Sequence, residues 1–585
     1  MKKSVLAGAS ILTLTFASPA MAQSNSSTAD QTGDGNSAVV AQPGSGNASE
    51  ITQDGLATGV DGIANEASVA QAGTGGFSEV IQTGDNSATV TQTATSIGMN
   101  SELIQENAGG GTSNTATVMQ DGTGSGIGSG TGSLIEQTGT DGTVTVMQGA
   151  GSTDALSIVI QSGDDAEATV TQDSGTGSTS TILQPGVFVR AIVSQTGDGN
   201  DSTVTQDFEN NVVDVLQNGA GNVSDATQSG LRGIIDVDQV GDSNTSTIEQ
   251  TGEVMTAFVD QGGTGHSVTI LQSTGTPASS VVRAGAVVTQ RGNTNTAEVD
   301  QSGRQTGTSF GQFTAPIRLS NAAPFADVRQ TGDDNFVDID QPGNSVGVFA
   351  FQTGNRNRAI VLQTVEDAET LNTQTGDDNS INVTQSVTAN RGLGSAINTQ
   401  IGNRNTIITD QSGTGQPFSR IPRAEVRQEG DDNFADTMQE GIGAQAFVDQ
   451  IGDMNRSTVR QDTDPGGIAD VNQNGDNGIS EVIQTGFFHE ARLDQFGTFN
   501  ESSITQDGTQ QRANVTQRGT LNESTVMQTG PARNTATVTQ NGEEGDSLLM
   551  QDGESNIATV TQGGMMDVST ITQTGVGNTV TVSQN

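Results

Sequence analysis

The chain has 585 residues, 31% hydrophobic and 3% aromatic, with 77 Gly, no Cys, no Trp and no Tyr, and a formal net charge of −45. So little bulk excludes a series of ordinary close-packed cores, and the lack of cysteine excludes disulfide stapling. So acidic a surface repels nucleic acid and anionic membranes and attracts cations.

Residues 1–22 read MKKSVLAGASILTLTFASPAMA, with Lys2 and Lys3, an apolar run from Val5 to Phe16 and the small-x-small ending Ala20-Met21-Ala22. This pattern predicts a secretory signal cut before Gln23. The run is shorter than the roughly 20 residues a membrane span needs, and no later segment is longer and apolar, so the mature protein is expected to leave the cytoplasm without membrane insertion. Lys2 and Lys3 are the only lysines, so the mature part carries 20 Arg against 67 acidic residues, or 20 − 67 = −47.

Glutamine then recurs on a fixed period. It stands at Gln195, Gln206, Gln217, Gln228, Gln239, Gln250, Gln261 and Gln272, always 11 residues apart, and 46 such glutamines run from Gln31 to Gln584. Two residues before them, 39 of the 46 units carry Val, Ile or Leu; the exceptions are Ala29, Ala226, Ala350, Asn372, Asn398, Thr409 and Thr437. Composition alone fits a disordered chain, but disorder requires no such rule. A right-handed helical supercoil also repeats every eleven residues. It is disfavoured by the Gly after the Gln, by the β-branched apolar residues and by the single strong hydrophobe per unit, which leaves no helical seam.

Alternation predicts a strand in each unit. In residues 200–206, Asn200, Ser202, Val204 and Gln206 share the inward parity, while Asp201, Thr203 and Thr205 face out. Thr196-Gly197-Asp198-Gly199 supplies the turn before it. Two units close one rung, and stacked rungs repeat at about 4.8 Å, so 46 units make about 23 rungs and a rod of roughly 110 Å. The predicted fold is all-β, a two-sheet parallel β-solenoid of 11 residues per strand-turn unit. Its predicted blocks are 23–301 and 330–585, separated by an irregular insertion at 302–329 that holds Phe310, Phe313, Pro316, Pro324 and Phe325.

In such a stack each Gln can pass an amide hydrogen to the Gln one rung away, which makes the eight glutamines from Gln195 to Gln272 candidate members of an internal ladder. Asn200, Asn222 and Asn244, five residues after their glutamines, are candidates for a second ladder, with Asn335, Asn379, Asn455, Asn500 and Asn578 at the same position. The last unit, VGNTVTVSQN, is as regular as the interior, so an uncapped end and end-to-end stacking are expected. Outward apolar residues just before the Gln, namely Ile81, Ile104, Met119, Met147, Ile160, Leu183, Leu216, Leu271, Ile483, Met527 and Met550, would form a bundling stripe if they align.

No catalytic, cofactor or metal site is read from the chain. His266 and His489 are the only histidines and read as turn or surface residues, not as a base or ligand. Turn carboxylates such as Asp198, Asp333 and Asp377 are expected to bind divalent ions diffusely, but no specific cation site follows from them, and a calcium rod uses a different repeat.

The pattern Ser-x-x-x-Gln-x-Gly, a short turn and then Asn-x-Ala-x-x-x-Gln, as in SEVIQTGDNSATVTQ at 78–92, whose turn is one residue short, and STVMQTGPARNTATVTQ at 524–540, resembles the curlin repeat of bacterial curli. The resemblance covers nearly all of the mature chain. It implies an extracellular functional amyloid fibre for adhesion and biofilm matrix, a pilus-like surface fibre assembled from copies of itself or from related subunits. It also implies a dedicated outer-membrane export machinery. Curli subunits have only a handful of repeats and a longer Gly-rich segment after their signal, which this chain lacks. A non-polymerising surface adhesin remains an alternative, as does an ice-binding solenoid, since outward Thr pairs such as Thr537/Thr539 and Thr559/Thr561 recur.

Overall fold

The computed structural model describes residues 11–15, 24–33, 35–55, 64–107, 113–124, 132–273, 284–302, 325–343, 346–364, 368–386, 394–412, 422–463 and 466–585. Among them every regular element is a strand, and no helix is long and apolar enough to cross a membrane. The fold is all-β, with parallel sheets throughout. The chain divides into two compact units, Met1–Thr276 and Pro277–Asn585, and each is a two-sheet parallel β-solenoid. The division falls within the long spacing between Gln272 and Gln290.

Successive repeat strands alternate between the two sheets of their unit. In unit 1, strands Arg190–Thr196, Val212–Asn218, Ile234–Asp242 and Thr256–Thr264 stack in one sheet, with Gln195, Gln217, Gln239 and Gln261 in one file. Strands Asp201–Gln206, Val223–Gln228, Thr245–Thr251 and Ser267–Ser273 stack in the other. Side chains of one parity go in: Asn200, Ser202, Val204 and Gln206 are all fully buried. The core is therefore a set of parallel files of amide, small, aliphatic and amide side chains, one residue deep, as the alternation required.

The turn has two positions of positive φ, and they differ in kind. Gly197, two after Gln195, sits at φ 106°, and a Cβ there would lie 2.1 Å from the carbonyl oxygen of Gly219 in the next rung. Only glycine permits that approach. Four after the glutamine the chain is again left-handed, as at Gly199 (φ 59°), but there the space is open. Asn210, Arg232 and Val254 adopt the same conformation at equivalent positions.

Insertions leave the stack in register. In unit 2, Gly285–Asn293 pairs with Phe325–Asp333, so Gln290 lies on Gln330 although 40 residues separate them. Residues 325–329 of the stretch read as an insertion thus begin a regular strand, whereas 303–324 lie outside the described residues. Of the stretch read as a signal, Ile11–Thr15 is described, and it pairs in parallel with Ser37–Ala41 in unit 1.

Candidate functional site: two internal amide ladders

The eight glutamines from Gln195 to Gln272 fall into two ladders, not one, because neighbours eleven residues apart lie on opposite sheets. On one sheet Gln195 Nε2 donates to Gln217 Oε1 at 2.9 Å, Gln217 to Gln239 at 2.9 Å and Gln239 to Gln261 at 2.9 Å. On the other Gln206 donates to Gln228 at 3.1 Å, Gln228 to Gln250 at 2.9 Å and Gln250 to Gln272 at 2.8 Å. Every bond runs the same way along the chain. One face of each rung therefore presents amide donors and the other presents acceptors.

The second amide hydrogen ties the sheets together, a role the sequence reading did not assign. Gln217 Nε2 also donates to Asp201 O at 2.8 Å, and Gln206 to Arg190 O at 3.1 Å, each at the start of a strand in the facing sheet. Both donors and the acceptor of the buried amide are thus used, which removes the cost of burying it.

Asn200, Asn222 and Asn244 form a file in the turn between the sheets, but their ladder is mostly of side chain to backbone. Asn200 Oδ1 accepts from the backbone N–H of Asn222 at 3.1 Å, and Asn222 Oδ1 from that of Asn244 at 3.0 Å. Their Nδ2 groups donate to the carbonyls of Gly219, Gly241 and Gly263 in the next rung. A direct amide-to-amide bond also joins Asn222 to Asn200 at 3.2 Å. At the same rungs the opposite turn holds Asn211, Gly233 and Met255, whereas Asn534, Asn556 and Asn578 form an equivalent file in that turn in unit 2.

Both histidines occupy the asparagine position, and both are buried, which corrects the surface reading. His266 receives the ladder bond by donating its backbone N–H to Asn244 Oδ1, and its Nε2 lies 3.3 Å from Gly262 O. His489 Nε2 lies 2.9 Å from Thr485 O. An imidazole reaches the carbonyl four residues back as the amide does, so five-after-glutamine was the available signal. Burial pushes the His489 pKa below its ordinary value.

Turn carboxylates bond to backbone N–H groups of the neighbouring rung. Asp198, Asp333 and Asp377 accept through Oδ1 from the N–H of Thr176, Asn293 and Asn355 respectively, each one rung back. Among the described residues no group of three or more His, Asp or Glu could hold a metal. The next turn position in unit 2 carries an alternating ionic file, Asp334, Arg356, Asp378, Arg404, Asp432, all at positive φ. Arg356 forms a bidentate pair with Asp378 (2.7 Å to each oxygen), and Arg404 pairs likewise with Asp432. The alternation of QTGDDN at 330–335 with QTGNRN at 352–357 was its sequence signal.

On the outer faces like charges stack. Glu50, Glu79 and Glu102 share one file, and burial followed by the charges of Glu102 and Glu50 raises the Glu79 pKa. Asp236 is raised by burial and then by Asp238, Asp214 and Asp260. Of the outward apolar residues, Ile81 aligns with Ile104, Met119 with Met147, Ile160 with Leu183 and Met527 with Met550, so the alignment is in pairs.

No curated protein matches the chain. The model of the curlin associated repeat matches residues 23–55 and 430–462. The first match takes in the strands Ser26–Thr32, Ser37–Ala41 and Ala48–Asp54, and the second Phe434–Gly441, Gln445–Ile451 and most of Arg456–Thr463. Each unit thus carries one stretch that is similar to the curlin associated repeat.

Proposed function

We propose that the protein is a structural subunit of a curli-like extracellular amyloid fibre, assembled from copies of itself or related subunits after export, and serving surface attachment and biofilm matrix. The observation that carries this reading is the single direction of the glutamine ladders, in which Gln217 donates forward to Gln239 and accepts from Gln195. A rung face with amide donors and strand-edge backbone groups complements the opposite face of another copy, so a contact between molecules repeats the contact within one. The curlin associated repeat supports the family-level part of the reading. Its role is mechanical rather than catalytic: the buried amides and histidines are held by neighbours within the stack.

The stacked carboxylates of Glu79 and Asp236 support a dependence of assembly on pH and cations, because mutual repulsion on a face falls when protons or counterions neutralise it. Following thioflavin fluorescence of residues 23–585 across pH 4–8 and added divalent salt tests this. Shorter lag times in acid and salt are expected, and a lag that does not respond to either would refute the electrostatic part.

A further inference from the structure

The inward position four residues before each glutamine changes chemistry along one sheet of unit 2. From Ala297 to Ala435 the file is apolar, through Val337, Ile381 and Ile407. It then becomes six consecutive serines, Ser457, Ser480, Ser502, Ser524, Ser547 and Ser569, each in register on the next. All six are at least nine-tenths buried, and none of their hydroxyls has a hydrogen-bond partner among the described residues. Unit 1 repeats the arrangement from Ser49 to Ser246, until Val268 ends the file.

The facing sheet holds Ala446, Ala469, Ala491, Ala513, Ala536 and Ala558 at the same repeat position, all buried. Alanine therefore suits this depth of the core, and serine adds only a hydroxyl, with one donor and two acceptor sites. Buried hydroxyls without protein partners are characteristically met by water. Successive serine oxygens, one rung apart at about 4.8 Å, are too distant to bond directly. One water between each pair, with legs of about 2.8 Å, would sit ~1.4 Å to the side of the line joining them. It accepts from one hydroxyl and donates to the next, so the file becomes an alternating chain of hydroxyl and water.

We propose that the serine file of each unit is a binding site for a single internal column of water, one molecule per rung, and that the apolar stretch of the same file in unit 2 is dry. The proposal is independent of fibre formation. An atomic-resolution map of the full chain, from crystals or electron microscopy, tests it within one molecule. The expected result is a peak within hydrogen-bond distance of both oxygens for each pair from Ser457/Ser480 to Ser547/Ser569, with none along Ala297 to Ala435. Absence of those peaks, or serine oxygens bonded to protein atoms, overturns it. The variant Ser480→Ala/Ser502→Ala/Ser524→Ala supplies a second readout of opposite sign under the two accounts. Breaking a water column lowers the thermal midpoint, whereas removing unpaired hydroxyls raises it, and a raised midpoint also overturns the proposal.

Discussion

Asn398 donates from Nδ2 to Oδ1 of Asn372, 2.9 Å away, at a core position that an aliphatic side chain holds on nearly every other strand. Thr409, on the facing sheet, donates to the same Asn398 Oδ1 at 3.1 Å and stacks in register on Thr437. Nearby, Thr370 accepts from Gln363 and donates to Gln385 Oε1. Four of the seven departures from the aliphatic rule are thus gathered into one buried polar cluster in unit 2. Replacing Asn398 alone by Val leaves Thr409 without its acceptor and should cost about 1–3 kcal/mol. Replacing Asn372, Asn398 and Thr409 together by Val should recover most of that loss, which denaturant midpoints of the single and triple variants will show.

The amide ladders make a sharper contrast. Gln217→Leu deletes both donors and the acceptor of a buried amide and leaves Gln195 and Gln239 half unpaired, so a loss of about 1–3 kcal/mol or more is expected. Thr203→Ala, on the outer face of the adjacent strand, should stay within about 0.5 kcal/mol. Equal effects in chemical denaturation would remove the ladder from its structural role.

Glycine is favoured at both left-handed turn positions, at one because a Cβ would clash and at the other because of φ alone. Gly219→Ala places a Cβ 2.0 Å from the Gly241 oxygen at φ 136°, and should unfold the rungs around it, seen as lost hydrogen-exchange protection there. Val254 already sits at φ 55°, a conformation that costs a β-branched residue roughly 1–2 kcal/mol. Val254→Gly should therefore raise the midpoint of unfolding.

Stability should rise as pH falls from 8 to 5. Burial raises the pKa of Glu369 from 4.5 to about 7, and burial first also raises Asp340, Asp410 and Asp470. A carboxyl with a raised folded-state pKa binds its proton before the unfolded chain does, so its contribution grows as pH drops through the folded value and is complete below the unfolded one. For Glu369 that window runs from about 7 to 4.5. His489 acts in the opposite sense: its pKa is depressed, so the unfolded chain gains the proton first and stability is lost as pH falls below 6.5. Glu369→Gln should flatten the pH profile near neutrality, and His489→Asn should remove a destabilising slope in acid.

Much of the architecture was legible because one backbone period carries it. Gln206, Val204, Ser202 and Asn200 face inward as alternation dictates, and the parallel stacking follows from a repeat too short to bury itself. The pairing of glutamines 22 residues apart needs only the two-strand rung, yet the bond from Gln217 to Asp201 O needs the distance between sheets, which no spacing encodes. Turn chemistry was half visible. Gly197 was expected in the turn, but Val254, Arg356 and Met454 in the left-handed region were not, because there the stack imposes the conformation on whatever residue is present. Burial of His489 was missed for a similar reason: histidine resembles asparagine only in reaching the same carbonyl.

The measurement that bears most directly on the proposed fibre is seeded assembly of residues 23–585, followed by thioflavin fluorescence and imaged by electron microscopy. Sonicated fibres should abolish the lag of fresh monomer and elongate with a cross-β repeat of about 4.7–4.8 Å along the axis. Monodisperse single solenoids that stay soluble with and without seeds, in acid and in salt, would contradict it.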